Sequence, residues 1–266
     1  MKKIIFIILI FFITKSFSQN ELEKTIKNLG YKTEIVYEYQ PKFGEIDLST
    51  KFLSKRTKFD KYGQTIKIEK YYKSEYLKEY EDVMTYQYVN GKLTKTVVYN
   101  TNGGINSIVK HNYKNGKRDE CIVYNSDGDL SGKTTYIFDK RGNIIKSISY
   151  DSIGKLKSTT INEYDKKNDL TKSTDYDKDG KIEETTIYTK GEKTNIMERY
   201  NKKNELEIKA IEKLGKNNLI LEELYFYNSK KPTKTIFEYD ENGLIIKRID
   251  FGENGEPEKY EIIERK

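Results

Sequence analysis

The residues able to do chemistry are few. The chain of 266 residues holds one histidine, His111, and one cysteine, Cys121. A multi-histidine zinc site is therefore excluded. Any nucleophile activated by an imidazole would have to use His111. His111 shares the parity of Tyr113 in a predicted strand, so it reads as a sheet-face residue. Cys121, in GKRDECIVY, reads as a small half-buried strand residue. A free reactive thiol or an intermolecular bridge is the alternative. Acids are too numerous to single out a catalytic pair, and no phosphate-binding glycine loop occurs. Asp175, Asp177, Asp179, Gly180, Ile182 and Glu183 match the early positions of an EF-hand loop. Its last ligand should be a glutamate, but Thr186 stands there, and the flanks alternate like strands where helices are needed. The expectation is no catalytic residue, no cofactor and no metal.

The elements that would position any site come from a repeat. YNTNGGI begins at Tyr99, YNSDGDL at Tyr124, FDKRGNI at Phe138 and YDSIGKL at Tyr150. YDKKNDL follows at Tyr164, YDKDGKI at Tyr176, YNKKNEL at Tyr200 and YDENGLI at Tyr239. FDKYGQT at Phe59 and YNSKKPT at Tyr227 are weaker copies. The template is an aromatic, Asp or Asn, two polar residues, Gly or Asn, any residue, then Ile or Leu. Its centre is a hairpin turn whose Gly takes the left-handed position. Gly63, Gly103, Gly128, Gly142, Gly154, Gly180 and Gly243 hold that place, with Asn168 and Asn204 as substitutes. Asn90-Gly91 and Asn115-Gly116 are shorter, two-residue turn signals.

Between turns the chain reads as strand: IEETTIY, IIKSISY, LTKTVVY. Spacings are nearly always even, so Tyr99, Tyr150, Tyr164, Tyr176, Tyr188 and Tyr239 fall beside turns in a regular register. Tyr176 should pair with Ile182, and Tyr164 with Leu170. The reading is all-β: a long antiparallel meander of ~12-residue hairpin repeats, about thirteen strands from Phe59 onward, with a short N-terminal helix. A sheet roughly 60 Å wide should twist and curl as an extended sheet, its more apolar face inside. The last strand, Lys259 to Lys266, is charged at its end, which should discourage pairing there.

Ahead of the repeats, Asn20 to Gly30 reads as a helix, residues 31–58 as two or three strands, and Tyr71 to Glu81 as a tyrosine-rich connector. Residues 1–18 read as a secretory signal: Lys2 and Lys3, ten apolar residues Ile4 to Ile13, then Ser16-Phe17-Ser18, with cleavage before Gln19. Ten apolar residues fall short of the ~20 that cross a bilayer as a helix. The expected organisation is a signal at 1–18 and one β-repeat domain at 19–266, with 19–58 a less regular cap and 59–266 the repeats. The 49 basic and 42 acidic residues are well mixed, giving a net charge of +7, so no nucleic-acid partner is expected.

The run FDKRGNI, YDSIGKL, YDKKNDL, YDKDGKI, YDENGLI resembles the YD-repeat, or RHS-repeat, family over roughly residues 59–255. That resemblance implies a coiled antiparallel sheet and an exported or surface location, and carries no catalytic residues. The toxin-encapsulating role of the large family members is not expected. The functional expectation is a monomeric, non-enzymatic exported protein that binds, or is structural, in the periplasm or at the cell surface, its partner an unknown envelope protein or glycan. The alternatives are an immunity protein or inhibitor that blocks a toxin or enzyme, and a carboxylate-dependent envelope hydrolase. The hydrolase requires a concave site with a buried acid of raised pKa.

Overall fold

A computed structural model describes residues 19–72, 80–228 and 231–266. Residues 1–18, read above as a secretory signal, residues 73–79 of the expected connector and residues 229–230 lie outside them. Helix α1 spans Gln19–Asn28. Four strands follow: β1 Thr33–Tyr39, β2 Pro41–Lys42, β3 Glu45–Ile46 and β4 Phe52–Phe59. Then come β5 Thr65–Tyr72, β6 Tyr80–Val89, β7 Lys92–Tyr99, β8 Ile105–Lys114, β9 Lys117–Tyr124 and β10 Leu130–Phe138. The next are β11 Ile144–Asp151, β12 Leu156–Tyr164, β13 Leu170–Asp177, β14 Ile182–Lys190 and β15 Thr194–Asn201. The last five are β16 Leu206–Leu214, β17 Ile220–Tyr227, β18 Thr233–Tyr239, β19 Ile245–Phe251 and β20 Pro257–Arg265.

The turns form as their chemistry dictates. In the turn after Tyr176, Asp177 Oδ1 accepts hydrogen bonds from the backbone N–H of Asp179 at 2.8 Å and of Lys181 at 2.9 Å. Asp60, Asn125, Asp151, Asp165, Asn201 and Asp240 do the same in their turns. Gly180 closes the turn at φ +77°, and Asn168 takes its place in the preceding repeat at φ +74°. Each such turn ends in a register shift, which pairs the aromatic with an aliphatic in Tyr176–Ile182, Tyr164–Leu170 and Tyr239–Ile245, and with a threonine in Phe59–Thr65. The Asp177–Gly180 segment is thus a hairpin turn, and its acid is already engaged by backbone.

Tyrosine hydroxyls tie neighbouring strands together. Tyr113, Tyr164 and Tyr239 donate to the carbonyls of Leu93, Ile144 and Ile220, at 2.9, 3.1 and 2.6 Å. Each acceptor lies at the start of the preceding strand. Arg265 takes that role beside Ile245, donating from Nη1 at 2.9 Å.

The expected extended, curled sheet is overturned. β1 pairs antiparallel with β4 on one side and with β20 on the other. The meander β4 to β20 is thereby closed by β1 into an antiparallel ring of 18 strands. The last strand is no blunted edge: Arg265 pairs with Glu34 through two nitrogens, at 3.0 and 2.7 Å. The charges read as discouraging pairing are the ones that make it. Among the described residues sixteen strands, against about thirteen expected, follow Phe59, and Tyr71 and Tyr72 at the start of the connector pair with residues 81 and 80 at its end.

Stepping from partner to partner once round the ring returns to β1 displaced by about eighteen residues. That stagger corresponds to a strand tilt of about 35° and, for a circular section, a backbone radius of about 16 Å. Helix α1 sits against the turn after β4. A Cβ on Gly63 would lie 2.0 Å from the carbonyl oxygen of Glu23, so only glycine allows this approach.

Candidate functional site

Register separates the two faces of the barrel wall. One face carries the buried cluster of Tyr188, Met197, Ile208 and Ala210. The same parity, followed strand to strand, carries Glu38, Glu184, Glu212 and Glu223, whose carboxyls burial pushes above their ordinary range. The opposite face exposes Ile137, Ile161 and Ile187. The first face is the concave, inner one, because curvature crowds its side chains and removes water.

On that inner face the seam of the barrel is lined by charge. Glu34 sits between Lys55 at 3.2 Å and Arg265 at 2.7 Å. These two cations hold its carboxyl below the ordinary range against the opposing effect of burial. Beside them, Arg248 bonds Asp250 at 2.9 Å and approaches Glu261 at 3.8 Å. Lys259 reaches Glu261 at 2.8 Å, Asp250 at 3.3 Å and Glu38 at 4.0 Å. Burial disfavours the Lys259 ammonium, yet these acids raise its pKa overall. Further round the wall, Arg199 pairs with Glu184 at 3.4 Å.

A second cluster lies on the inner face of β7 to β10. The histidine and the cysteine meet there: His111 Nδ1 lies 3.1 Å from Cys121 Sγ. Thr96 Oγ1 lies 3.2 Å from the other ring nitrogen, Nε2. Burial, then the charge of Arg118, lowers the pKa of His111 and keeps its ring neutral. Arg118 also stacks over Tyr136 at 5.2 Å, and burial pushes that phenol up to about 12. Cys121 is buried and unbridged. A neutral imidazole can accept from a thiol here, but Cys121 is closed off from solvent.

The turn glycines singled out in the sequence, at 63, 91, 103, 116, 128, 142, 154, 180 and 243, all have φ between +73° and +96°. They lie at the ends of the barrel and converge on no site. Of the tyrosines, Tyr188 is buried in the wall cluster, Tyr164 and Tyr239 make the carbonyl bonds described above, and Tyr99, Tyr150 and Tyr176 pair beside turns. Sequence reasoning missed Glu34, Asn195, Glu212, Glu223, Asp250, Lys259 and Arg265. Their signal was parity: each shares the inner face with Tyr188, where a charge is out of place.

No family model matches the chain, and no curated protein does. Among solved structures, a porin-like protein from Bacteroides uniformis ATCC 8492 is similar at 10% identity and TM-score 0.49, covering 89% of this chain and 98% of its own. A protein of unknown function from Bacteroides fragilis NCTC 9343 is 19% identical over 48% of this chain and 84% of its own, at TM-score 0.24. The TcdB2–TccC3 complex is 11% identical, at TM-score 0.12; the match covers 84% of this chain and 18% of that one.

Proposed function

We propose that this chain is a non-enzymatic, exported β-barrel that serves as a binding or structural component of the cell envelope and works in water, not within lipid. The observation that carries this reading is charge on both faces of the wall. On the outer face Lys110, Lys133, Lys172, Lys209 and Lys247 project from the middle of their strands. Glu120, Glu163, Glu198 and Glu238 pair with four of these lysines at 2.8–3.3 Å. A lysine facing lipid at the bilayer midplane costs about 2–4 kcal/mol. An outward band with one on every second or third strand from β8 to β19 fits an aqueous surface. Among the described residues no helix is long and apolar enough to cross a membrane. The turn-and-strand repeat adds support for the kinship with YD-repeat proteins, and the leader at residues 1–18 for export.

The hydrolase alternative has the buried acids it requires. The most buried of them, however, Glu212, is 3% exposed beside Asn195 at 1%, which leaves a polymer substrate no approach to that acid. Fractionation of the producing cells tests the proposal. The protein should appear in the periplasmic or secreted fraction without detergent, beginning at Gln19. Recovery only from detergent-extracted membrane would overturn it.

A further inference from the structure

One row of inner-face residues runs straight across five strands. Register places Asn195 of β15 opposite Glu212 of β16, Glu212 opposite Glu223 of β17, Glu223 opposite Thr235 of β18, and Thr235 opposite Asp250 of β19. At the seam end the row is satisfied: Asp250 accepts from Thr235 at 2.8 Å and from Arg248 at 2.9 Å. At the other end it is not. Asn195 donates Nδ2 to Glu212 Oε2 at 2.9 Å, but its own Oδ1 is buried with no partner, and so is Oε1 of Glu223. Two facing carboxylates and an amide oxygen therefore lie along three neighbouring strands, joined by one donor, Asn195 Nδ2.

A buried acceptor left without a donor costs free energy, and more so when it is charged. Native walls do not leave such a surplus unexplained. We infer that Glu212, Glu223 and the amide oxygen of Asn195 form a binding site for a hard, oxygen-liganded divalent cation of the size of Ca²⁺. The donor set is the one such ions take: carboxylates, an amide carbonyl and water. Coordination habit selects the ion. Ca²⁺ takes six to eight oxygens in a flexible geometry at about 2.3–2.6 Å, which suits ligands spread over neighbouring strands. Mg²⁺ demands near-ideal octahedral geometry at about 2.0–2.1 Å and gives up its waters reluctantly. Asn195 orients the site: its Nδ2 fixes Glu212 and leaves its own Oδ1 buried and free to bind. The cation whose charge reaches this stretch is Arg248, which acts on Glu223 but is hydrogen-bonded to Asp250. The inference goes beyond the proposed function and does not depend on where the protein resides.

The test is calcium titration of the purified protein after treatment with a chelator. Calorimetry should show one site. Weak extracellular-type affinity, near 10⁻⁴–10⁻³ M, would let 10 mM Ca²⁺ raise the unfolding midpoint by about 3–10 °C. Glu212→Gln and Glu223→Gln should abolish both signals, while Asp129→Asn, in a remote turn, should keep them. A second readout needs no variant. With 23 tyrosines and no tryptophan, Tb³⁺ bound here should luminesce on tyrosine excitation and be displaced by Ca²⁺ but not by Mg²⁺. Absence of calcium heat and of Tb³⁺ luminescence would overturn the inference. So would a calcium response that survives both substitutions. A shared proton as the true occupant would show as stabilisation by both Gln variants in chelator, with wild type indifferent to Ca²⁺; that too would overturn it.

Discussion

Replacing Arg265 with alanine tests the closure of the barrel directly. Arg265 is the last residue of β20, and its side chain is 9% exposed. It donates twice to Glu34 on β1 and once to the carbonyl of Ile245 on β19, so it binds three strands at the seam. Removing it leaves the Glu34 carboxylate, 15% exposed, with Lys55 at 3.2 Å as its remaining ion-pair partner. Breaking a buried pair by deleting one member costs about 3–5 kcal/mol. Lys55 softens that toward the lower figure. For a chain of this size each kcal/mol lowers the unfolding midpoint by roughly 2–4 °C. The expected fall for Arg265→Ala is therefore about 6–12 °C in a thermal scan followed by circular dichroism. Glu34→Gln in the same background should recover part of the loss. The acid limb adds an internal check. Glu34 has a lowered folded pKa, so its contribution is present above the ordinary value of 4.5 and disappears as pH falls through the folded value. Wild type and Arg265→Ala should converge in acid. A fall under about 2 °C at neutral pH, with rapid amide exchange along β1, would refute a closed seam.

Three further outcomes follow from the same structure. Glu38, Glu184, Glu212 and Glu223 have raised carboxyl pKa values, so in chelator stability should decline as pH rises from 4.5 through those raised values; midpoints measured against pH check this, and Glu212→Gln should flatten the decline. Gly63→Ala should cost about 3 kcal/mol in urea unfolding, because its Cβ meets the Glu23 carbonyl, whereas Gly154→Ala, with open space around it, should cost about 1 kcal/mol from backbone strain alone. Tyr239→Phe should cost about 1 kcal/mol by the same assay, and Tyr164→Phe less, since Asn162 also donates to the Ile144 carbonyl at 2.9 Å.

The turns were legible because they are local chemistry. Asp, Gly and Asn at fixed offsets set φ and the backbone hydrogen bonds within five residues, and the parity of Tyr176 and Ile182 follows. Closure was illegible because it is a sum. Each strand adds about one residue of stagger, and only the total over eighteen brings β1 beside β20. Nothing in TEIVYEY marks it as the strand that pairs on both sides. The inner charges were hidden for a related reason. Glu212 and Asp250 are thirty-eight positions apart, and they share a row only once three registers have been fixed in succession. His111 and Cys121 met because they oppose each other across a single hairpin; the turn at Asn115-Gly116 fixes that pairing, and the sequence reading stopped one step short of drawing it.

The ring constrains how such a protein can have grown. Its eighteen strands alternate in direction, so β20 runs antiparallel to β1 only because the number is even. Duplicating or losing one repeat of about 12 residues would turn the final strand round and present it to β1 in parallel, with the wrong ladder and with Arg265 at the far end from Glu34. Gain or loss of two repeats, a whole hairpin of about 24 residues, preserves the joint. The unit of inheritance is thus twice the unit of sequence. Relatives of different length should differ by even numbers of strands, and the two repeats of each hairpin should have diverged as partners.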